Sequence, residues 1–130
     1  MPEPAPILRI LCLEDNPLIA FHIEQMIEDL GHVPALTLPS FEALSALSAL
    51  DFDLALVDID LADGCTGPRA ADWLGEKGVP SIFVTGQREL AENNAHLVNG
   101  YMLKPVDHAI LKQKLDDFAS SIESSRVTSR

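Results

Sequence analysis

Hydrophobic positions along the chain fall into two alternating kinds of stretch. Ile7 to Leu13, Leu54 to Val57 and Ser81 to Val84 are short, nearly unbroken apolar runs, the pattern of strands covered on both faces. Val33 to Leu38 and Gly100 to Leu103 supply two more strands. Between them, apolar residues recur at helical spacing: Ile19, Ile23, Met26, Ile27 and Leu30; then Ala43, Leu44, Leu47 and Leu50; then Ala70, Ala71 and Leu74; finally Leu111, Leu115, Phe118 and Ile122. Asn16-Pro17, Ser40, Pro68 and Asp107 are helix-start signals, and Gly31 is a stop. A fourth helix, Arg88 to Ala95, is polar and leaves only Leu90, Ala91 and Ala95 to bury, so it is expected to be mobile or completed by a partner. Five strands alternating with five helices predict an α/β fold, a doubly wound five-stranded parallel sheet with helices on both faces.

In such sheets the binding crevice lies outside the carboxyl ends of the strands. Four strand ends carry the chemistry. The first strand ends in Glu14-Asp15-Asn16, the third in Asp58-Ile59-Asp60, the fourth in Thr85-Gly86 and the fifth in Lys104-Pro105. Taken alone, Asp58 would suit the cap of a loop. Together these ends gather Glu14, Asp15 and Asp58 beside a hydroxyl and an ammonium. Carboxylates that close repel and require a cation or raised pKa values. A hard, oxygen-seeking ion such as Mg²⁺ meets that need, because it binds through one or two carboxylates plus phosphate oxygens. The loop Ala62 to Gly67 holds two glycines, which a phosphate- or metal-binding loop and a plain turn would use equally well.

Composition narrows the partners. The 130 residues are enough for one domain, and 47% are apolar, so a core is available. With 20 acidic against 9 basic residues the formal charge is -11, and no basic cluster is present, which argues against direct nucleic-acid binding. The apolar runs are too short to span a membrane and the opening Met1 to Pro6 lacks the basic segment of a signal peptide, so a cytoplasmic protein without a membrane role is expected. Cys12 and Cys65 have no metal-ligand spacing with the histidines; Cys12 reads as a core hydrophobe and Cys65 as a loop thiol.

Glu14-Asp15, Asp58, Thr85, Tyr101 and Lys104-Pro105, in this order and register, resemble the receiver domain of two-component response regulators over residues 7–123, with residues 1–6 and 124–130 as flexible termini. The resemblance implies a flavodoxin-like (βα)5 fold with strand order 2-1-3-4-5. It implies that Asp58 is the phosphoacceptor and that Mg²⁺ is held by Glu14, Asp15, Asp58 and the backbone carbonyl of Asp60. Lys104 and Thr85 would bind the phosphoryl group, Tyr101 would switch rotamer with them, and Lys104-Pro105 would be cis. Asp60 and Gln87 would tune the phosphoryl lifetime. The implied partners are a sensor histidine kinase or phosphotransfer protein, and a downstream protein that reads the face of the fourth helix, fifth strand and fifth helix. The phosphoryl group would either switch partner binding or leave the chain acting as a phosphate sink, and no turnover beyond loss of that group is implied.

Gly78 to Gly86, with Pro68, Ala71 and Leu74 upstream, is similar to a subgroup of alphaproteobacterial stress-signalling receivers, from which Gln87, Arg88 and Tyr101 depart. Two other readings compete. Asp58-Ile59-Asp60 is also a D-x-D, as in haloacid-dehalogenase-type phosphatases, although it lies on the third strand instead of the first. A receiver-fold interaction module that is never phosphorylated is the other.

Overall fold

The computed structural model describes the backbone of residues 6–128 and side chains through Ile122. The parts of the two expected flexible termini that fall on residues 1–5 and 129–130 lie outside the described residues. Five parallel strands form one sheet in the order β2-β1-β3-β4-β5, where β1 is Arg9–Leu13, β2 Val33–Leu38, β3 Leu54–Val57, β4 Ser81–Thr85 and β5 Tyr101–Leu103. The helices are α1 (Pro17–Asp29), α2 (Phe41–Ser45), α3 (Gly67–Glu76), α4 (Arg88–Asn93) and α5 (His108–Thr128). The doubly wound, flavodoxin-like arrangement expected from the sequence is the observed one.

Two apolar layers sandwich the sheet. On one side Ile10, Cys12, Leu54, Leu56, Ile82 and Val84 pack against Ile23, Met26 and Ile27 of α1 and Leu111 and Leu115 of α5. On the other, Leu11, Leu13, Ala55, Val57 and Phe83 pack against Leu44, Ala70, Ala71, Leu74 and Ala91. Successive strand residues alternate between the layers, so β3 and β4, covered on both faces, are buried at every position.

The helix boundaries depart from the periodicity in two places. The stripe Ala43, Leu44, Leu47 and Leu50 predicted a longer second helix, but α2 ends at Ser45, and Leu47 and Leu50 are partly buried from irregular chain. The Ser45 hydroxyl donates to the Glu42 carbonyl within the last turn (3.0 Å), a local bond that competes with helix continuation. Arg88 to Ala95 likewise overestimates α4, which stops at Asn93, followed by a 3₁₀ turn, Ala95–Leu97, that the pattern did not reveal. Asn94 terminates α4 by donating its side-chain amide to the Leu90 carbonyl (2.8 Å), and Ala95 is exposed instead of buried. At the first strand Ile7 is exposed and β1 begins at Arg9.

Start signals hold well. The Asn16 side chain accepts from Leu18 N and Ile19 N, with Pro17 opening α1, and Asp107 accepts from Ile110 N at the head of α5. Gly31, at φ +88°, follows the end of α1 in a left-handed conformation that its lack of a Cβ permits. His32 serves structure: its Nδ1 accepts from Leu8 N at 3.0 Å, and burial lowers its pKa.

The two cysteines separate cleanly. Cys12 is enclosed in the core, and burial pushes its thiol up to about 12, whereas Cys65 is exposed. Titration with an aromatic disulfide at pH 8 is expected to modify one thiol in the native protein and two in denaturant; two in the native state would contradict the packing around β1. Between pH 9 and about 12 the unfolded chain releases a proton that folded Cys12 keeps, so stability contributed by this group falls as pH rises through that window.

Candidate functional site: an acidic pocket at the strand ends

Strand register builds the site. Leu13 pairs with Val57, so Glu14 and Asp58 are the first residues past the ends of adjacent strands, and Asp58 N donates to the Leu13 carbonyl (3.0 Å). Thr85 pairs with Leu103, which places Lys104 one residue beyond, its amide on the Thr85 carbonyl (2.9 Å). Four sequence-distant side chains therefore meet at one sheet edge. They line a pocket of about 390 Å³ together with Asp15, Asn16, Asp60, Gly86 and Gln87.

The carboxylates converge as expected. One oxygen from each of Glu14, Asp15 and Asp58 lies within 4.8 Å of the others. Glu14 and Asp58 are buried, at 5% and 7% exposure, and Asp15 faces the solvent. The Lys104 ammonium bridges the two buried acids, 2.7 Å from Glu14 Oε1 and 2.8 Å from Asp58 Oδ2. Three carboxylates against one ammonium leave a negative pocket, and an all-oxygen donor set of this kind fits a hard divalent ion such as Mg²⁺.

Protonation follows from these contacts. Burial raises the Glu14 pKa, and its bonds to Lys104 and the Asn16 amide oppose that rise without cancelling it. Burial alone would lower the Lys104 pKa, but its bonds to Asp58 and Glu14 outweigh that and raise it.

The remaining predicted residues fall around this centre. Thr85 is buried and its hydroxyl accepts from Gln87 N at 3.1 Å. Gln87 reaches across the mouth and donates its side-chain amide to the Asp60 carboxylate, so these two positions touch each other. Asp60 N lies 3.3 Å from Asp58 Oδ1. Lys104-Pro105 is cis. Tyr101 is half-buried against the α3–α4 layer, and its hydroxyl donates to Glu92 of α4 at 3.1 Å.

Two contributions escaped the sequence reading. Gly67 packs directly on the chain leaving β3: a Cβ there would lie 2.3 Å from the Asp58 carbonyl oxygen and 2.4 Å from Ile59 Cα. Only glycine fits, although the chain shows merely a second glycine in a turn. Glu92, the partner of Tyr101, reads in sequence as one more solvated acid on a polar helix.

A doubly wound parallel sheet whose strand ends bring a buried aspartate, an acidic cluster, a hydroxyl and a lysine together is an α/β protein with its polar crevice where such sheets bind ligands. A family model for the response regulator receiver domain matches residues 10–116, and the chain belongs to that family. Segments of two curated relatives are similar to it. The sensor histidine kinase GacS of Pseudomonas protegens is 28% identical over 115 residues, covering 81% of this chain and 12% of the relative. The phyllosphere-induced regulator PhyR of Methylorubrum extorquens is 42% identical over 83 residues, covering 62% and 31%. The chain thus spans less than a third of either. The solution structure of the receiver domain of Erythrobacter litoralis PhyR superposes with a TM-score of 0.75 at 30% identity, covering 86% of this chain and 89% of that one. Family membership leaves the dehalogenase-type alternative without footing. Among the described residues, no helix is long and apolar enough to cross a membrane.

Removing the ammonium tests the electrostatics. Lys104→Ala is expected to cost about 2 kcal/mol at pH 7 without Mg²⁺, discounted for the partial exposure of the lysine from the usual cost of orphaning a buried charge. Lysine stabilisation is complete below its unfolded pKa and is lost only as pH rises through the higher folded value, so Lys104 itself stays charged between pH 5 and 7. The deficit should shrink toward pH 5, as Glu14, already inclined to hold its proton, takes one up. Urea denaturation at both pH values measures this; an equal deficit at each would contradict the pairing.

Proposed function

We propose that this receiver works in a two-component phosphorelay, with Asp58 accepting a phosphoryl group in a Mg²⁺-dependent reaction. The observation that carries the reading is the Lys104 ammonium 2.8 Å from a buried Asp58 carboxylate, beside an acidic cluster and the Thr85 hydroxyl. A carboxylate oxygen of Asp58 attacks the phosphorus of the donor; the bond from phosphorus to the donor's nitrogen or oxygen breaks, and its electron pair leaves with the donor. Glu14, Asp15, Asp58 and the Asp60 carbonyl would hold Mg²⁺, which when bound supplies charge neutralisation at the phosphoryl oxygens. Lys104 supplies a second positive charge at the same carboxylates.

The same contacts supply a switch. The Thr85 oxygen accepts a bond from Gln87 N, which leaves the hydroxyl proton to be donated to a phosphoryl oxygen. Drawing Thr85 inward makes room for Tyr101, whose hydroxyl must then release Glu92. The face of α4, β5 and α5 changes with it and is offered to a downstream protein. Gln87 and Asp60, bonded across the mouth, regulate access of water to the acyl phosphate.

A protein donor, a sensor histidine kinase or a phosphotransfer protein, has to reach Asp58 over the rim. There α1 exposes Leu18 (80%) and Phe21 (60%) directly after Asp15-Asn16. Beside them an apolar groove of about 300 Å³ runs between α1 and the Lys104–Val106 segment.

Intact-mass analysis of wild type, Asp58→Asn and Phe21→Ala checks the proposal. With Mg²⁺ and acetyl phosphate, wild type and Phe21→Ala are expected to gain one phosphoryl adduct and Asp58→Asn none. With a phosphorylated donor protein, Phe21→Ala should slow about tenfold, as loss of a docking anchor would. Labelling of Asp58→Asn equal to wild type would overturn the assignment. If no protein takes up a phosphoryl group from either donor, a non-phosphorylated interaction module is the reading that survives.

A further inference from the structure

The loop that follows the acceptor is tied to the start of α2 by one carboxylate. Leu61 and Gly64 close a tight turn through reciprocal backbone bonds, Leu61 N to Gly64 O at 2.8 Å and Gly64 N to Leu61 O at 3.0 Å. Asp63 stands at its tip and is exposed. Its carboxylate nevertheless accepts from Glu42 N (3.0 Å), Phe41 N (3.3 Å) and the Thr66 hydroxyl (2.7 Å). Ala62 N, donating to the Pro39 carbonyl at 2.9 Å, adds a second tie to the same place. At the other end of the loop Gly67 N closes on the Ile59 carbonyl at 2.9 Å.

Helix capping alone does not account for Asp63. α2 already has its own cap, Ser40, whose hydroxyl accepts from Ala43 N at 3.0 Å. What Asp63 adds is a link between three segments that are separate in sequence: the acceptor loop, the first turn of α2 and the entrance to α3. Between its two anchored ends the loop carries Asp60, whose amide approaches Asp58 Oδ1. The side chains of Ile59 and Leu61 are buried on either side of it.

We infer that Asp63 is a positioning residue of the acceptor site, fastening the turn 61–64 to α2 so that the backbone around Asp60 stays aligned with Asp58 for metal and phosphoryl binding. The inference rests on the phosphoacceptor reading of Asp58. Its geometry resembles the outer partners of a metal site, which touch neither the metal nor the reacting group yet set its affinity.

Asp63→Ala and Asp63→Asn, compared with wild type and Asp58→Asn, test it through three readouts: Mg²⁺ affinity by calorimetry, the rate of adduct formation with acetyl phosphate, and the melting temperature without metal. Asp63→Ala is expected to weaken Mg²⁺ binding and slow adduct formation about tenfold, the low end of the cost of losing an outer partner. Asp63→Asn, which keeps one oxygen acceptor but sets an NH2 group against a donor that used the other, should recover part of both. If Asp63→Ala does not fold, Asp63→Asn and Thr66→Ala carry the test, each expected to weaken Mg²⁺ about threefold, roughly the loss of one hydrogen bond. A lowered melting temperature with Mg²⁺ affinity and rate unchanged from wild type would reduce Asp63 to a stabilising contact and overturn the inference. Wild type that neither binds Mg²⁺ nor forms an adduct would instead remove the phosphoacceptor reading, and the role of Asp63 with it.

Discussion

Carboxylates gathered at the end of a buried strand require a compensating positive charge or raised pKa values, and here the Lys104 ammonium, held between Glu14 and Asp58, supplies the charge. Much of the architecture serves this contact. The parallel register of β1, β3, β4 and β5 delivers four strand ends to one edge, and two apolar layers fix the sheet that sets the register. Lys104 lies ninety residues from Glu14 in sequence, so the pair forms only when the whole sheet does. The acidic pocket and the core are in this sense one cooperative unit.

Around that fixed centre the chain is lightly held. α4 is a short polar helix with Ala91 as its one buried residue, and a 3₁₀ turn replaces the rest of the expected helix. Few buried apolar contacts mean a low local cost of rearrangement. Two single hydrogen bonds hold α4 to its surroundings, Gln87 N to the Thr85 hydroxyl at its head and the Tyr101 hydroxyl to Glu92 along its length. The opposite flank is tighter: Asp63, Thr66 and Gly67 brace the loop after Asp58 against α2 and against the strand itself. One side of the pocket is thus held by few buried contacts and the other by several hydrogen bonds.

The alternation of apolar runs and helical stripes made the fold legible, because burial of β3 and β4 on both faces leaves an unbroken hydrophobic signature. The site was legible for a related reason: chemistry in such sheets collects at strand ends, and Glu14, Asp58, Thr85 and Lys104 stand at those ends. What the sequence hid depends on side chains that act locally. Ser45 and Asn94 stop α2 and α4 by bonding to backbone carbonyls, while Leu47, Leu50 and Ala95 kept the helical period beyond those stops. Gly67 and Asp63 look like ordinary turn residues until the tertiary structure shows the backbone that one presses on and the amides that the other binds.

Locating the phosphoryl group bears most directly on the central claim. After incubation with Mg²⁺ and acetyl phosphate, borohydride reduction converts an acyl phosphate to the corresponding alcohol, and sequencing the peptide by mass spectrometry distinguishes position 58 from position 60. Reduction of Asp58 to homoserine, with Asp60 untouched, is the expected result. A mark at Asp60, Glu14 or Asp15, with Asp58 intact, would contradict the assignment of the buried, lysine-paired carboxylate as the acceptor.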